Sequence, residues 1–167
     1  MIKLFRVDHR LLHGQVAFSW TSALGADCIL IANDAVMKDD LRKTSIKLAK
    51  PAGVKLVIKN VDDSIQAINS GVTDKYKLFI VVESIADAYK LAENCSQIKS
   101  LNLGGTKPRE GTRNVSKAIN VTKEEEQMIK ELIDKGIDVE IRMVPNDTSI
   151  DAKTVIAIMY AYQKDHQ

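Results

Sequence analysis

Short apolar runs alternate with amphipathic stretches from one end of the chain to the other, and this alternation limits the fold to a narrow class. Residues 2–7 read as a first strand and 16–24 as a helix. Cys28-Ile29-Leu30-Ile31-Ala32 is a strand of the buried type, followed by a helix from about 39 to 49 that ends before Pro51 and Gly53. A third strand covers 55–58, and a helix over 62–69 closes at Gly71. Leu78-Phe79-Ile80-Val81-Val82 is the most apolar strand, and such a continuous run fits burial on both faces. Ser84, with Asp87 three residues on, opens a helix through Glu93 in the manner of a capping box. Residues 100–103 form a fifth strand running into Gly104-Gly105, and 118–121 a sixth. Thr122 caps a helix with Glu124, Glu125 and Glu126 in its first turn, ending at Lys135-Gly136. A seventh strand covers 139–144, and a last helix runs from 150 to about 164. The reading is one α/β domain over residues 1–167: an open, twisted, mostly parallel sheet of about seven strands with helices on both faces. Sheets of this kind take ligands at the carboxyl ends of their strands.

Composition excludes several functions. The chain has 167 residues, enough for one well-packed domain. Its 24 Lys plus Arg nearly balance 22 Asp plus Glu, and a net charge of +2 gives no basis for binding nucleic acid. No apolar run approaches the ~20 residues that span a bilayer, and Met1-Ile2-Lys3-Leu4-Phe5-Arg6 becomes charged too soon for a signal peptide. Cys28 and Cys95 form no CxxC or metal-like spacing and read as two reduced thiols. A cytoplasmic location is expected, with no metal and no cofactor.

The chemistry concentrates in the loop after the first strand, Arg6-Val7-Asp8-His9-Arg10-Leu11-Leu12-His13-Gly14-Gln15-Val16. Imidazole is a competent nucleophile near neutral pH, and a phosphorylated histidine can both accept and donate the group. Arg10 supplies a planar fork of donors for phosphoryl oxygens. Asp8 can hold an imidazole nitrogen or fix Arg10. Gly14 lets backbone amides come close, and the helix that follows offers its N-terminus to an anion. His9 and His13 have the i, i+4 spacing of zinc-binding helices, but Arg10 stands where a zinc protease carries its glutamate, and no third ligand is evident. Leu11 and Leu12 anchor the loop to the core.

This string resembles the active-site loop of the IIB components of the mannose/fructose/sorbose family of the bacterial phosphotransferase system. The resemblance continues through Trp20 on the following helix, Leu41-Arg42-Lys43, residues 51–55, Gly104-Gly105, residues 115–118 and residues 139–145, so it covers essentially the whole chain. It implies a cytoplasmic phosphocarrier, transiently at the inner face of the membrane. His13 would receive a phosphoryl group from a phosphohistidine on a IIA partner and pass it to a sugar entering through the membrane components IIC and IID, the resemblance favouring Nδ1. Arg10 matches the arginine that binds the phosphoryl group, and Asp8 the first acidic loop position. Many members carry a second aspartate where this chain has His9, which either bonds the phosphate or faces solvent. Arg6, Gly14 and Gln15 complete the expected supporting set.

Three further features stay open at this level. Asp34, after Asn33 at the end of the second strand, either orients His13 or an arginine, or belongs to an Asx turn. Residues 104–113 form a glycine-rich basic loop that lacks the P-loop order. Its Lys107, Arg109 and Arg113 either meet phosphate or a IIA partner, or are solvated. Trp20 either packs under the active loop or serves docking. The rival functions are a regulatory module that binds phosphate or a nucleotide without being phosphorylated, and a hydrolase using His9 and His13 as an acid–base pair.

Overall fold

β1 (Ile2–Asp8) occupies the middle of the sheet, paired in parallel with β4 (Leu78–Val82) on one side and β5 (Ser100–Gly105) on the other. The computed structural model describes residues 1–165. Beyond β4 lie β2 (Cys28–Ala32) and β3 (Lys55–Lys59); beyond β5 lie β8 (Asp138–Ile141) and β9 (Ile150–Asp151). The order is β3-β2-β4-β1-β5-β8-β9, and β9 alone runs antiparallel to its neighbour. Every residue of β2 and β4 is buried, as continuous apolar runs require.

Helices cover both faces. α1 (Gly14–Leu24) and α2 (Asp40–Leu48), joined to β2 through a 3₁₀ turn at Ala35–Lys38, pack Ala17, Trp20 and Ile46 against Ile29, Ile31, Phe79 and Val81. On the other face α3 (Val61–Asn69), α4 (Ile85–Asn94), α5 (Lys123–Asp134) and α6 (Ala152–Asp165) meet Phe5, Val7, Leu30, Ile80 and Leu103. The caps agree with the sequence: Ser84 accepts from Asp87 N–H, and Thr122 and Glu125 form a reciprocal capping box.

The sheet has the expected seven strands, but its membership differs. Residues expected as a sixth strand form β7 (Ile119–Val121), which pairs antiparallel with β6 (Arg113–Ser116) in a separate hairpin. A parallel neighbour needs a crossover of a dozen or more residues, usually a helix. The stretch between β5 and β7, with Pro108 and Gly111, has no helix to make one. The vacant edge goes to β9, two residues at the expected start of the last helix. β8 stops at Ile141, three residues early, because Arg142 N–H still reaches Leu103 O but the chain then turns through Pro145.

Candidate functional site

β1 delivers Asp8 to the carboxyl edge of the sheet, and residues 9–13 turn the chain over that edge into α1. The turn is held from below. Leu11 and Leu12 are buried in one cluster with Ala17, Trp20 and Val81, and Leu11 N–H donates to Asp8 O at 2.8 Å. Leu11 has φ 58, a left-handed conformation that a leucine keeps only where packing enforces it. With both leucines turned inward, the side chains left at the surface include Arg10 and His13, 44% and 25% exposed.

Asp8, fully buried, ties them together. Its Oδ2 accepts from Arg6 Nη2 at 3.1 Å and faces His13 Nε2 at 3.1 Å. Its Oδ1 accepts from the Arg10 backbone N–H at 3.0 Å and Arg10 Nε at 3.3 Å. A carboxylate has about four acceptor positions, and these contacts use them. Burial pushes the Asp8 carboxyl up, but the Arg10 N–H, the His13 ring and the Arg6 guanidinium together hold it below its ordinary value. Asp8 is therefore ionised near neutral pH and can only accept. The nitrogen facing it, Nε2, bears the ring hydrogen, so the lone pair of neutral His13 sits on Nδ1.

Behind Asp8 stands Arg6, 1% exposed. Its Nη1 donates to Asn102 Oδ1 at 2.7 Å and to Arg142 O at 3.1 Å. The guanidinium carbons of Arg6 and Arg142 lie over the Trp20 ring, 5.4 and 5.6 Å from its centroid, and its Nε1 donates to Met143 O at 2.9 Å. A Cβ on Gly104 would stand 2.0 Å from Arg6 Cζ. Burial lowers the Arg6 pKa and Asp8 opposes that shift; an arginine stays charged regardless. Arg6 is thus a buried support for Asp8, out of reach of a surface phosphate, and Trp20 packs beneath the loop.

His13 is the N-cap of α1 and makes no side-chain cap bond. The first turn bond runs from Ala17 N–H to His13 O at 3.0 Å, which leaves the N–H groups of Gly14, Gln15 and Val16 free of intrahelical acceptors. The helix dipole adds to this opening for an anion. Gly14 has φ 33 with open space where a Cβ would lie, so the backbone conformation, not close packing, calls for glycine. Gln15 is exposed. Residues 9–13 are a turn, so His9 and His13 do not share a helix face as a zinc-binding pair would.

The other expected residues lie elsewhere. Asp34 Oδ1 accepts from Val61 N–H at 2.8 Å at the start of α3, not from His13 or an arginine, and it is Asn33 whose Oδ1 holds the local turn, accepting from Val36 N–H three residues on at 2.9 Å. Gly104 and Gly105 end β5 and are buried, so they form no phosphate loop. Arg109 and Arg113 pair with Glu125 and Glu126 of α5. Lys107, Arg109 and His9 line a neighbouring hollow together with Arg42 and Glu83. Sequence reasoning missed Asn102, Arg42, Glu83 and Arg142 as contributors. Asn102 carried one signal, a polar residue inside the apolar run Leu101-Asn102-Leu103. Cys28 and Cys95 are buried free thiols, pushed up in pKa by burial.

A nucleophilic ring nitrogen, a cationic fork and an open helix end at a sheet edge are the equipment of a protein that handles an anionic group at a histidine. Comparison with known proteins agrees. The family described as the PTS system sorbose subfamily IIB component matches residues 2–167. The sorbose-specific EIIB component of Lacticaseibacillus casei is 34% identical over 151 residues, 90% of this chain and 92% of that one. The mannose-specific EIIAB component of Escherichia coli is 31% identical over 94% of this chain and 49% of its own. The crystal structure of the IIBSor domain of the sorbose permease from Klebsiella pneumoniae superposes with a TM-score of 0.89 at 28% identity, covering 95% of this chain and 97% of that one. The chain belongs to the sorbose subfamily of IIB components: it is a phosphotransferase and phosphocarrier of sugar uptake.

Proposed function

We propose that His13 carries the phosphoryl group, on Nδ1, between a phosphohistidine of a IIA partner and a sugar. The contact between ionised, buried Asp8 and His13 Nε2 carries this reading, because it fixes the lone pair on Nδ1. In the first transfer the Nδ1–phosphorus bond forms as the donor's nitrogen–phosphorus bond breaks. In the second a sugar hydroxyl loses its proton to solvent water, the oxygen–phosphorus bond forms, and the Nδ1–phosphorus bond breaks, returning its electron pair to Nδ1. Arg10, whose Nε is held by Asp8, directs its remaining guanidinium N–H groups at the phosphoryl oxygens, and the open turn of α1 shares that charge. Such transfer rests on positioning and charge neutralisation.

A IIA partner is supported by the EIIAB relative, whose name joins the two components. Among the described residues no helix is long and apolar enough to cross a membrane. In this reading the chain works on the cytoplasmic side, reaching its sugar through IIC and IID. Incubation with labelled phosphoenolpyruvate, enzyme I, HPr and a matching IIA protein tests it. Acid-labile, alkali-stable label is expected on the wild type and on His9→Ala, and none on His13→Ala; label persisting in His13→Ala sinks the assignment.

A further inference from the structure

Beside the His13 turn lies a second polar hollow of about 390 Å³, lined by neither His13 nor Arg10. Topology explains its position. After β1 the chain passes to α1 on one face, and after β4 to α4 on the opposite face. β1 and β4 are neighbours, so their loops diverge and open a crevice at the carboxyl edge, where open α/β sheets take ligands. His9 comes from the first loop, Glu83 from the second and Lys107 from the loop after β5.

The lining chemistry is specific. Arg42 pairs with Glu83 at 3.1 Å and Arg109 with Glu125 at 2.7 Å, and Asn33 Nδ2 steadies Glu83 at 2.8 Å. Arg42 Nη2 also reaches His9 O at 3.4 Å. These pairs set fixed donors beside fixed acceptors, a pattern that meets a hydroxyl's double capacity. Among the described residues the Lys107 ammonium has no carboxylate or hydrogen-bond partner, and neither does the buried Nδ1 of His9. Three cations face two carboxylates, and the unpaired excess sits at Lys107. The volume lies at the small end of the ~300–1,000 Å³ typical of small-molecule sites.

We infer that this hollow binds a sugar phosphate, the phosphate monoester against Lys107 and His9 and the hydroxyls against the Arg42–Glu83 and Arg109–Glu125 pairs. The choice of ligand rests on the sugar-transfer reading above, since a phosphorylated sugar is what that transfer produces. The site itself is separate from the nitrogen that carries the phosphoryl group.

Calorimetry and amide-shift mapping on the full, unphosphorylated chain test this, with mannose 6-phosphate, fructose 1-phosphate, free mannose and inorganic phosphate as probes. One of the two esters is expected to bind about tenfold or more tightly than free mannose or inorganic phosphate, and Lys107→Gln to weaken it about tenfold. Shifts should fall at residues 83–85 and 106–109, and His13→Ala should bind as the wild type does. Lys107 is exposed, so Lys107→Gln keeps the melting temperature and reports binding alone. The inference is overturned if neither ester binds by about 10 mM, or if inorganic phosphate binds equally well. Shifts confined to residues 10–16, or a Lys107→Gln affinity equal to wild type, overturn it too. No phosphoryl transfer enters this experiment, so its failure leaves the His13 labelling result standing, and the reverse also holds.

Discussion

Replacing Asp8 by asparagine keeps the shape of the side chain and removes the property on which the site depends. The asparagine oxygen can still accept from Arg10 N–H and Nε on the side where Oδ1 now does. Its amide then faces Arg6 Nη2, donor against donor, and His13 Nε2. Two effects follow from those contacts. Arg6, 1% exposed, loses its carboxylate, and an uncompensated buried charge destabilises by about 3–5 kcal/mol, roughly 6–20 °C in melting temperature for a chain of this size. The amide also donates to Nε2, so the ring hydrogen moves to Nδ1 and the nucleophilic lone pair turns inward. A wrong tautomer of this kind slows a histidine-dependent step by on the order of 10³–10⁴, about 4–5 kcal/mol of barrier. Rapid-quench phosphorylation by a phosphorylated IIA protein measures the rate, and long-range proton–nitrogen spectra of His13 report the tautomer. The double variant Arg6→Met/Asp8→Asn separates the effects: removing both charges should restore much of the stability and none of the rate. An Asp8→Asn protein that is folded and phosphorylated at the wild-type rate refutes the tautomer argument.

Gly104→Ala places a methyl 2.0 Å from Arg6 Cζ, and that guanidinium cannot move without releasing Asp8; destabilisation of about 1–3 kcal/mol by urea titration is expected, with slower phosphorylation. Trp20→Phe removes the bond to Met143 O and part of the packing against Arg6 and Arg142, a loss of about 1–3 kcal/mol in the same titration. The pH dependence follows from the lowered Asp8 pKa. A depressed carboxyl stabilises the fold above its unfolded value of 3.8, and that contribution fades as pH falls through the lower folded value. The stability gap between wild type and Asp8→Asn should therefore shrink on acidification below about pH 4, and a gap that does not change with pH counts against the buried anion.

Local features were legible in the sequence where short-range physics decides them. β2 and β4 match their expected bounds to the residue, since uninterrupted apolar runs have one stable place in a two-sided sheet. Asp8, Arg10 and His13 were readable because one turn holds all three. Arg6 was expected among the supporting residues, but its depth was not readable, because arginine is almost never buried without a partner and its partners, Asn102 in β5 and Arg142 just past β8, lie 96 and 136 residues along the chain. Gly104, expected where the fifth strand runs into a glycine-rich basic loop, gave no sign of its role: only the packed guanidinium shows why a Cβ is excluded. β7 was read as a strand to within a residue, but three residues carry no signal of which strand they pair with, and β9, two residues long, is too short for periodicity to separate from the helix that follows.

The burial of Arg6 and Asp8 also has a functional logic. In the proposed reading a donor and an acceptor approach the exposed side of His13 in turn, so neither can be relied on to set the ring hydrogen for the other. The tautomer has to be fixed from inside. A solvent-exposed carboxylate would do this weakly, screened by water and salt. At 0% exposure Asp8 acts through a low dielectric, and its charge there requires a buried cation, which in turn requires Asn102, a stacked Trp20 and a glycine at 104. The chain from the sheet interior to Nδ1 is thus a single electrostatic unit. Substitutions along it should lower phosphorylation rate in the order of their effect on Asp8 rather than of their distance from His13, and a series of Gly104, Asn102 and Trp20 variants whose rates track distance instead would break that account.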